Sequence, residues 1–212
     1  MKRRDFSLSL AATLLPLAGA EAQSTQPVAG EDYHKLERPA PVEAPAGKIE
    51  VVEFFWYNCP HCNSFEPEFN AWIRRAPQDV VVRRVPVAFR SNFVGQQRLY
   101  YALEAMGLVD KLHAKVFHTI HAERTALERP EVIGDWIAKQ GVDKAQFMAQ
   151  FNSFTAASKS TRATQLTNAY QVEGVPALGV AGRFYTDGSM AKSMGRALQV
   201  VDYLVGEVRK GR

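Results

Sequence analysis

The stretch Ile49-Glu50-Val51-Val52-Glu53-Phe54-Phe55-Trp56-Tyr57-Asn58-Cys59-Pro60-His61-Cys62 decides how the chain folds. Ile49 to Tyr57 is rich in β-branched and aromatic residues and predicts a strand buried on both faces. A helix opens directly after it. Proline is tolerated at the first helical position, where its missing N–H would have had no partner, so Pro60 places Cys59 at the helix N-terminus. Unpaired N–H groups and the positive end of the helix dipole favour a thiolate there, and a protonated His61 adds a charge beside it. Cys59 is therefore expected to be the nucleophile. Cys62, three residues on, faces the same side of the first turn, can close a disulfide within the motif, and points further into the fold. It is the expected resolving thiol.

These are the only two cysteines in 212 residues, which argues against a disulfide-stapled scaffold and for a working disulfide. The length and the 46% hydrophobic fraction suit one domain, or one domain with an insertion, with core enough to need no staple. The formal charge is +4, and without a leader carrying Lys2, Arg3, Arg4, Asp5 and Glu21 it would be one unit lower. No basic tract is dense enough to predict a nucleic-acid partner. Residues 1–22 read as a signal peptide: a charged start at Lys2-Arg3-Arg4, an apolar stretch from Leu8 to Ala18, and a small-residue cleavage site at Ala20-Glu21-Ala22. Arg3-Arg4-Asp5-Phe6 is similar in part to a twin-arginine signal, so either the Sec or the twin-arginine route is open, and both lead out of the cytoplasm.

Strand, Cys-X-X-Cys and helix together resemble the thioredoxin superfamily. Within it, Glu53-Phe54-Phe55 followed by Cys59-Pro60-His61-Cys62-Asn63-Ser64-Phe65-Glu66 is similar to the DsbA-type periplasmic thiol:disulfide oxidoreductases. The Pro-His dipeptide between the cysteines is the most specific part, since thioredoxin-like reductants usually carry Gly-Pro there. The resemblance implies an α/β thioredoxin-like fold with an inserted all-helical domain. It also implies an enzyme that donates a Cys59–Cys62 disulfide to unfolded or reduced exported proteins in the periplasm through a mixed disulfide at Cys59. A DsbB-like, quinone-linked membrane oxidase would recharge the pair. No cofactor beyond the disulfide and no metal are expected, and the protein is expected to act as a monomer.

The rest of the chain fits that division. Residues 23–47 are rich in proline and charge and read as an extended lead-in, with an edge strand drawn from Tyr33 to Leu36. Residues 23–90 form the first part of the thioredoxin-like domain. In it the helix should run to about Arg75 and bury Phe65, Phe69, Trp72 and Ile73, with Pro67 kinking it near Asn63. Val80 to Val87 is the next strand. From 91 to 170 helical spacing takes over, with stripes at Leu99, Ala102, Leu103 and Met106, at Leu112, Val116 and Ile120, at Ile133, Trp136 and Ile137, and at Phe147, Phe151 and Phe154. Residues 171–212 return to a hairpin turning at Ala181-Gly182 and end in a helix with Leu198, Val201, Val205 and Val208 on one face.

Three positions admit more than one reading. A carboxylate at Glu53 is costly in a buried strand unless it is paired, solvated or protonated, and it could simply face a wet edge. The resemblance places it beneath the cysteines, where it helps move protons. Arg84 falls where the resemblance puts a lysine that partners this glutamate, although a solvated strand arginine would read the same. Pro176 could be an ordinary trans proline opening a strand. The resemblance makes it the cis-proline facing the cysteines, with Val175 exposing its backbone to an extended substrate. His113, His118 and His121 lie in one helix and are expected to be solvated or satisfied within the core rather than to bind metal.

Two other functions compete. One is an isomerase or reductant of the same superfamily, although isomerases of the DsbC type carry an N-terminal dimerisation domain that residues 23–47 are too short to form. The other is a non-catalytic binding or chaperone module in which the cysteines form an inert clip.

Overall fold

The computed structural model describes residues 26–211, so the leader assigned to residues 1–22 lies outside the described residues. Within that span a five-stranded sheet is built from β1 (His34–Lys35), β2 (Ile49–Phe55), β3 (Val80–Pro86), β4 (Ala177–Val180) and β5 (Phe184–Asp187), in the order β1-β5-β4-β2-β3. Only β2 and β3 are parallel, joined through α1 (Pro60–Arg75), and the remaining pairs are antiparallel. β2 is an inner strand, and all seven of its residues are buried.

The two faces of the sheet are covered differently. Ile49 and Val51 pack with Leu178 and Val180 against Phe65, Phe69 and Trp72 of α1 and against α7 (Met194–Arg209). Val52 and Phe54 instead join the core of a helical layer, built from α2 (Val94–Ala105), α3 (Val109–His121), α4 (Pro130–Lys139), α5 (Lys144–Phe151) and α6 (Phe154–Ala169). The alternation of side chains along a strand explains the split, because successive residues must face opposite sides.

Several local expectations shift. β2 ends at Phe55 rather than Tyr57, because the Val87 N–H takes the Phe55 carbonyl as the last ladder bond and the Cys59 N–H then turns back to the Trp56 carbonyl. α1 carries Pro67 inside it and ends at Arg75, the end expected from sequence. Phe154 does not continue the stripe of Phe147 and Phe151: α5 stops at Phe151, Ser153 caps a new helix by accepting the Ala156 N–H, and the Phe154 ring is 86% exposed. In the hairpin, Ala181 and Gly182 both take positive φ, which suits a two-residue turn between twisted strands. Gly179 is required for a different reason, since a Cβ there would lie 2.3 Å from the Tyr170 ring, whose hydroxyl accepts the Gly182 N–H at 3.0 Å.

Candidate active site

Cys59 caps α1 in an extended conformation, with Pro60 following as the first helical residue. Its thiol is pulled down to about 6, and the largest cause is the hydrogen bond from the Cys62 thiol. Burial opposes this, while the N–H groups of Cys62 and His61 and the His61 charge assist. The helix terminus and His61 thus contribute as the sequence suggests, but the second cysteine contributes most. Cys62 moves the opposite way, raised first by burial, then by its hydrogen bond and charge interaction with Cys59, with Glu53 adding to the rise. Both cysteines are free, so this is the reduced pair, and Cys62 is 1% exposed against 7% for Cys59. Cys59 is thus the more exposed sulfur of the two.

The Val175–Pro176 bond is cis. The Val175 carbonyl faces the pair and accepts from Cys59 Sγ at 3.3 Å, although the two residues are 116 positions apart. Beside them a cleft of about 330 Å³ is lined by His61, Gly174, Val175, Pro176, Asp187 and Met194, among others.

Beneath the pair lies a polar cluster centred on Arg84. Glu53 is buried, and its Oε2 is 3.3 Å from Arg84 Nη1, so the wet-edge alternative does not hold. The register of β2 against β3 sets Glu53 directly opposite Arg84. The same Nη1 donates to Glu66 Oε2 at 2.7 Å, and Nη2 donates to Asn70 Oδ1 at 2.7 Å. Nη1 is also 2.5 Å from His113 Nε2, which leaves no room for a proton on that nitrogen. His113 is therefore neutral and donates from Nδ1 to the Tyr57 hydroxyl at 2.7 Å, in keeping with a pKa lowered chiefly by burial. Burial works to raise Glu66, but the Arg84 guanidinium, at 2.7 Å, helps to outweigh it and hold that carboxyl down at about 2. Glu53, with only a share of the guanidinium, is pushed up to about 8 by burial.

Of the residues singled out from sequence, Cys59, Pro60, His61 and Cys62 come together with Val175 and Pro176 at the N-terminal end of α1, and the charge of buried Glu53 acts on Cys62. The three histidines separate: His113 joins the arginine cluster, His121 donates to the Tyr57 carbonyl at 2.8 Å, and His118 lies outside, 3.6 Å from Glu123. Sequence reasoning missed Glu66, Asn70 and Tyr57, which complete the cluster. It also missed the grip on Asn58, whose amide accepts from Gln96 at 2.6 Å and donates to Glu128 at 3.0 Å. Glu66 carried a signal, being a helical glutamate on the same face as Phe69 and Trp72, but its partners are 18 and 47 residues distant.

A family model described as a DSBA-like thioredoxin domain matches residues 50–199. The chain is 40% identical over 204 residues to the thiol:disulfide interchange protein DsbA of Burkholderia cepacia, covering 96% of this chain and 94% of that one. It is 42% identical over 211 residues to the protein of the same name from Bordetella pertussis, covering 99% and 100%. Among solved structures, Pseudomonas aeruginosa DsbA superposes with a TM-score of 0.84 at 39% identity, covering 89% of this chain and 97% of that one.

Proposed function

The chain belongs to the DsbA family of thioredoxin-fold thiol:disulfide oxidoreductases, and from that premise we propose that it acts as a disulfide donor through Cys59. The observation that supports this reading most is the opposed acidity of the two thiols, with Cys59 near 6 and Cys62 raised. A sulfur that is stable as a thiolate is a good leaving group, and a couple whose reduced form is stabilised in this way is oxidising.

The reaction begins from the Cys59–Cys62 disulfide. A substrate thiolate attacks Cys59 Sγ, the Cys59–Cys62 bond breaks, and Cys62 leaves as a thiolate that takes up a proton. In this reading Glu53, protonated near neutrality and acting on Cys62 electrostatically, supplies that proton and takes one up again from solvent. A second substrate thiolate then attacks the substrate sulfur of the mixed disulfide and expels Cys59 as a thiolate. Two electrons pass from the substrate dithiol to the pair, one proton stays on Cys62 and the other goes to solvent. Val175 and Pro176, lying against Cys59, form the surface on which the substrate segment rests.

The substrates are reduced or unfolded exported proteins in the periplasm. Residues 1–22 act as the export leader, residues 91–170 form the helical insertion, and residues 23–90 with 171–212 form the thioredoxin-like part. A DsbB-like membrane oxidase recharges the pair. Equilibrating the protein with a series of glutathione buffers tests the donor role. A potential toward the DsbA end of the known range, about −120 mV, supports it, and one near the thioredoxin end, about −270 mV, makes the protein a reductant instead.

A further inference from the structure

The cleft beside the cysteines carries a fixed negative charge. Asp187 ends β5, pairs in register with Ala177 next to Pro176, and lines the cleft together with Pro176 and His61. Its carboxylate is held from three directions: Oδ1 accepts the Ser189 N–H at 2.8 Å and the Met190 N–H at 2.9 Å, and Oδ2 accepts the Tyr185 hydroxyl at 2.7 Å. All three donors are neutral, so they orient the group without cancelling its charge. Among the described residues no cationic side chain lies within ion-pair distance of Asp187, and Arg196 on the following helix is 3.5 Å from Asp32 instead. A second acid, Glu173, immediately precedes the lining residue Gly174, and its field reaches Tyr185 together with that of Asp187. The chain as a whole is basic. His61 lines the same cleft beside Cys59, so the inversion of that balance is local to the side of the cleft that Asp187 forms.

We propose that Asp187, aided by Glu173, selects extended cysteine-containing segments that carry lysine or arginine within a few residues of the cysteine. The proposal rests on the donor role given above and names the class of segment that the donor prefers. A lysine suits the cleft doubly, because its stem can lie along the apolar side chains of Pro176 and Met194 while its ammonium reaches Asp187. The carboxylate acts on encounter and docking, and the sulfur chemistry is unchanged.

The test uses three otherwise identical dithiol peptides with lysine, alanine or glutamate beside the attacking cysteine, and compares kcat/KM for their oxidation by the wild-type protein and by Asp187→Asn. The asparagine oxygen can still accept the Ser189 and Met190 N–H groups, so mainly charge is removed. The wild type should favour the lysine peptide over the glutamate peptide about tenfold at low salt, equivalent to about 1.4 kcal/mol, and less so in about 0.5 M salt. In Asp187→Asn the ratio should fall about threefold or more, and Glu173→Gln should lower it by a smaller factor, which keeps the question answerable if the first variant folds poorly. The peptides differ in their own thiol acidity, but that difference is the same for wild type and variant, so it is the change in the ratio between the two proteins that reads the role of Asp187. An unchanged ratio in both variants would overturn the selection while leaving the donor role intact. Failure to oxidise any of the three peptides would overturn the donor role, and the selection with it.

Discussion

Glu53 Oε2 and Glu66 Oε2 share a single nitrogen of Arg84, at 3.3 Å and 2.7 Å. The nearer carboxylate takes most of the cation, so Glu66 is held low while Glu53, buried above the same guanidinium, stays protonated near neutrality. One cation between two buried acids sets them to different protonation states, which neither strand nor helix would do alone.

Glu53 gives stability a distinctive pH dependence. Its pKa is raised in the folded state from about 4.5 to about 8, so the folded protein binds more protons than the unfolded chain between those values. This contribution is fully present below about 4.5 and is lost as pH rises toward 8, with a slope of up to about 1.4 kcal/mol per pH unit. Denaturant unfolding of the oxidised form, in which neither cysteine titrates, should show the decline, and Glu53→Gln should flatten it. Equal slopes in the two proteins would show that Glu53 is already ionised.

Removing the shared cation strands two acids. Arg84→Met should destabilise the fold by about 3–5 kcal/mol, the range for breaking a buried ion pair on one side. Arg84→Lys should recover part of the loss, since an ammonium restores the charge but cannot fork between Glu66 and Asn70. Urea midpoints for the three proteins check the order.

Cys59 should ionise with a midpoint near 6 in a thiolate absorbance titration of the reduced protein. Because the Cys62 hydrogen bond is the largest cause of that low value, Cys62→Ala should raise the midpoint toward the ordinary thiol range, and Cys62→Ser, which keeps a donor, should raise it less. His61→Ser should also shift it upward, but by less than Cys62→Ala. A larger effect at His61 than at Cys62 would reverse the assignment of causes.

Reduction should stabilise the fold in a pH-dependent way. A thiol whose folded value is depressed from 9.0 to about 6 contributes stability that is full above 9 and vanishes as pH falls through 6. The reduced form should therefore gain on the oxidised form as pH rises from 6, a trend that paired melting curves at pH 5 and pH 8 would reveal.

Much of this was legible from sequence because it is local. The strand entering Cys59, the proline that starts α1 and the turn at Ala181-Gly182 each follow from neighbouring residues. What was not legible depends on distant approach. Arg84 could be matched to Glu53 only through a resemblance, since nothing in Val80 to Val87 says which strand lies alongside. His113 looked like one of three similar histidines, and its burial against Arg84 and Tyr57 depends on how α3 packs over the end of β2. Phe154 continued a periodic pattern that Ser153 had already ended, an N-cap signal that outweighed hydrophobic spacing. Nothing in the sequence singled out Asp187, whose place in the cleft wall follows from the pairing of β5 with β4 and from the turn whose N–H groups fold back onto it.

The carbonyl of Val175 touching Cys59 also has a consequence in time. A chain that emerges from its N-terminus delivers both cysteines more than a hundred residues before the segment that faces them, and β2 must wait equally long for β4, its inner neighbour in the sheet. During that interval the thiols lie on an unfinished surface, open to any passing partner, including a second cysteine chain in the same condition. The pair acquires its full surroundings only once the later part of the polypeptide is available, so a truncated copy retains the motif and the groups that acidify Cys59 while lacking the Val175 wall beside it.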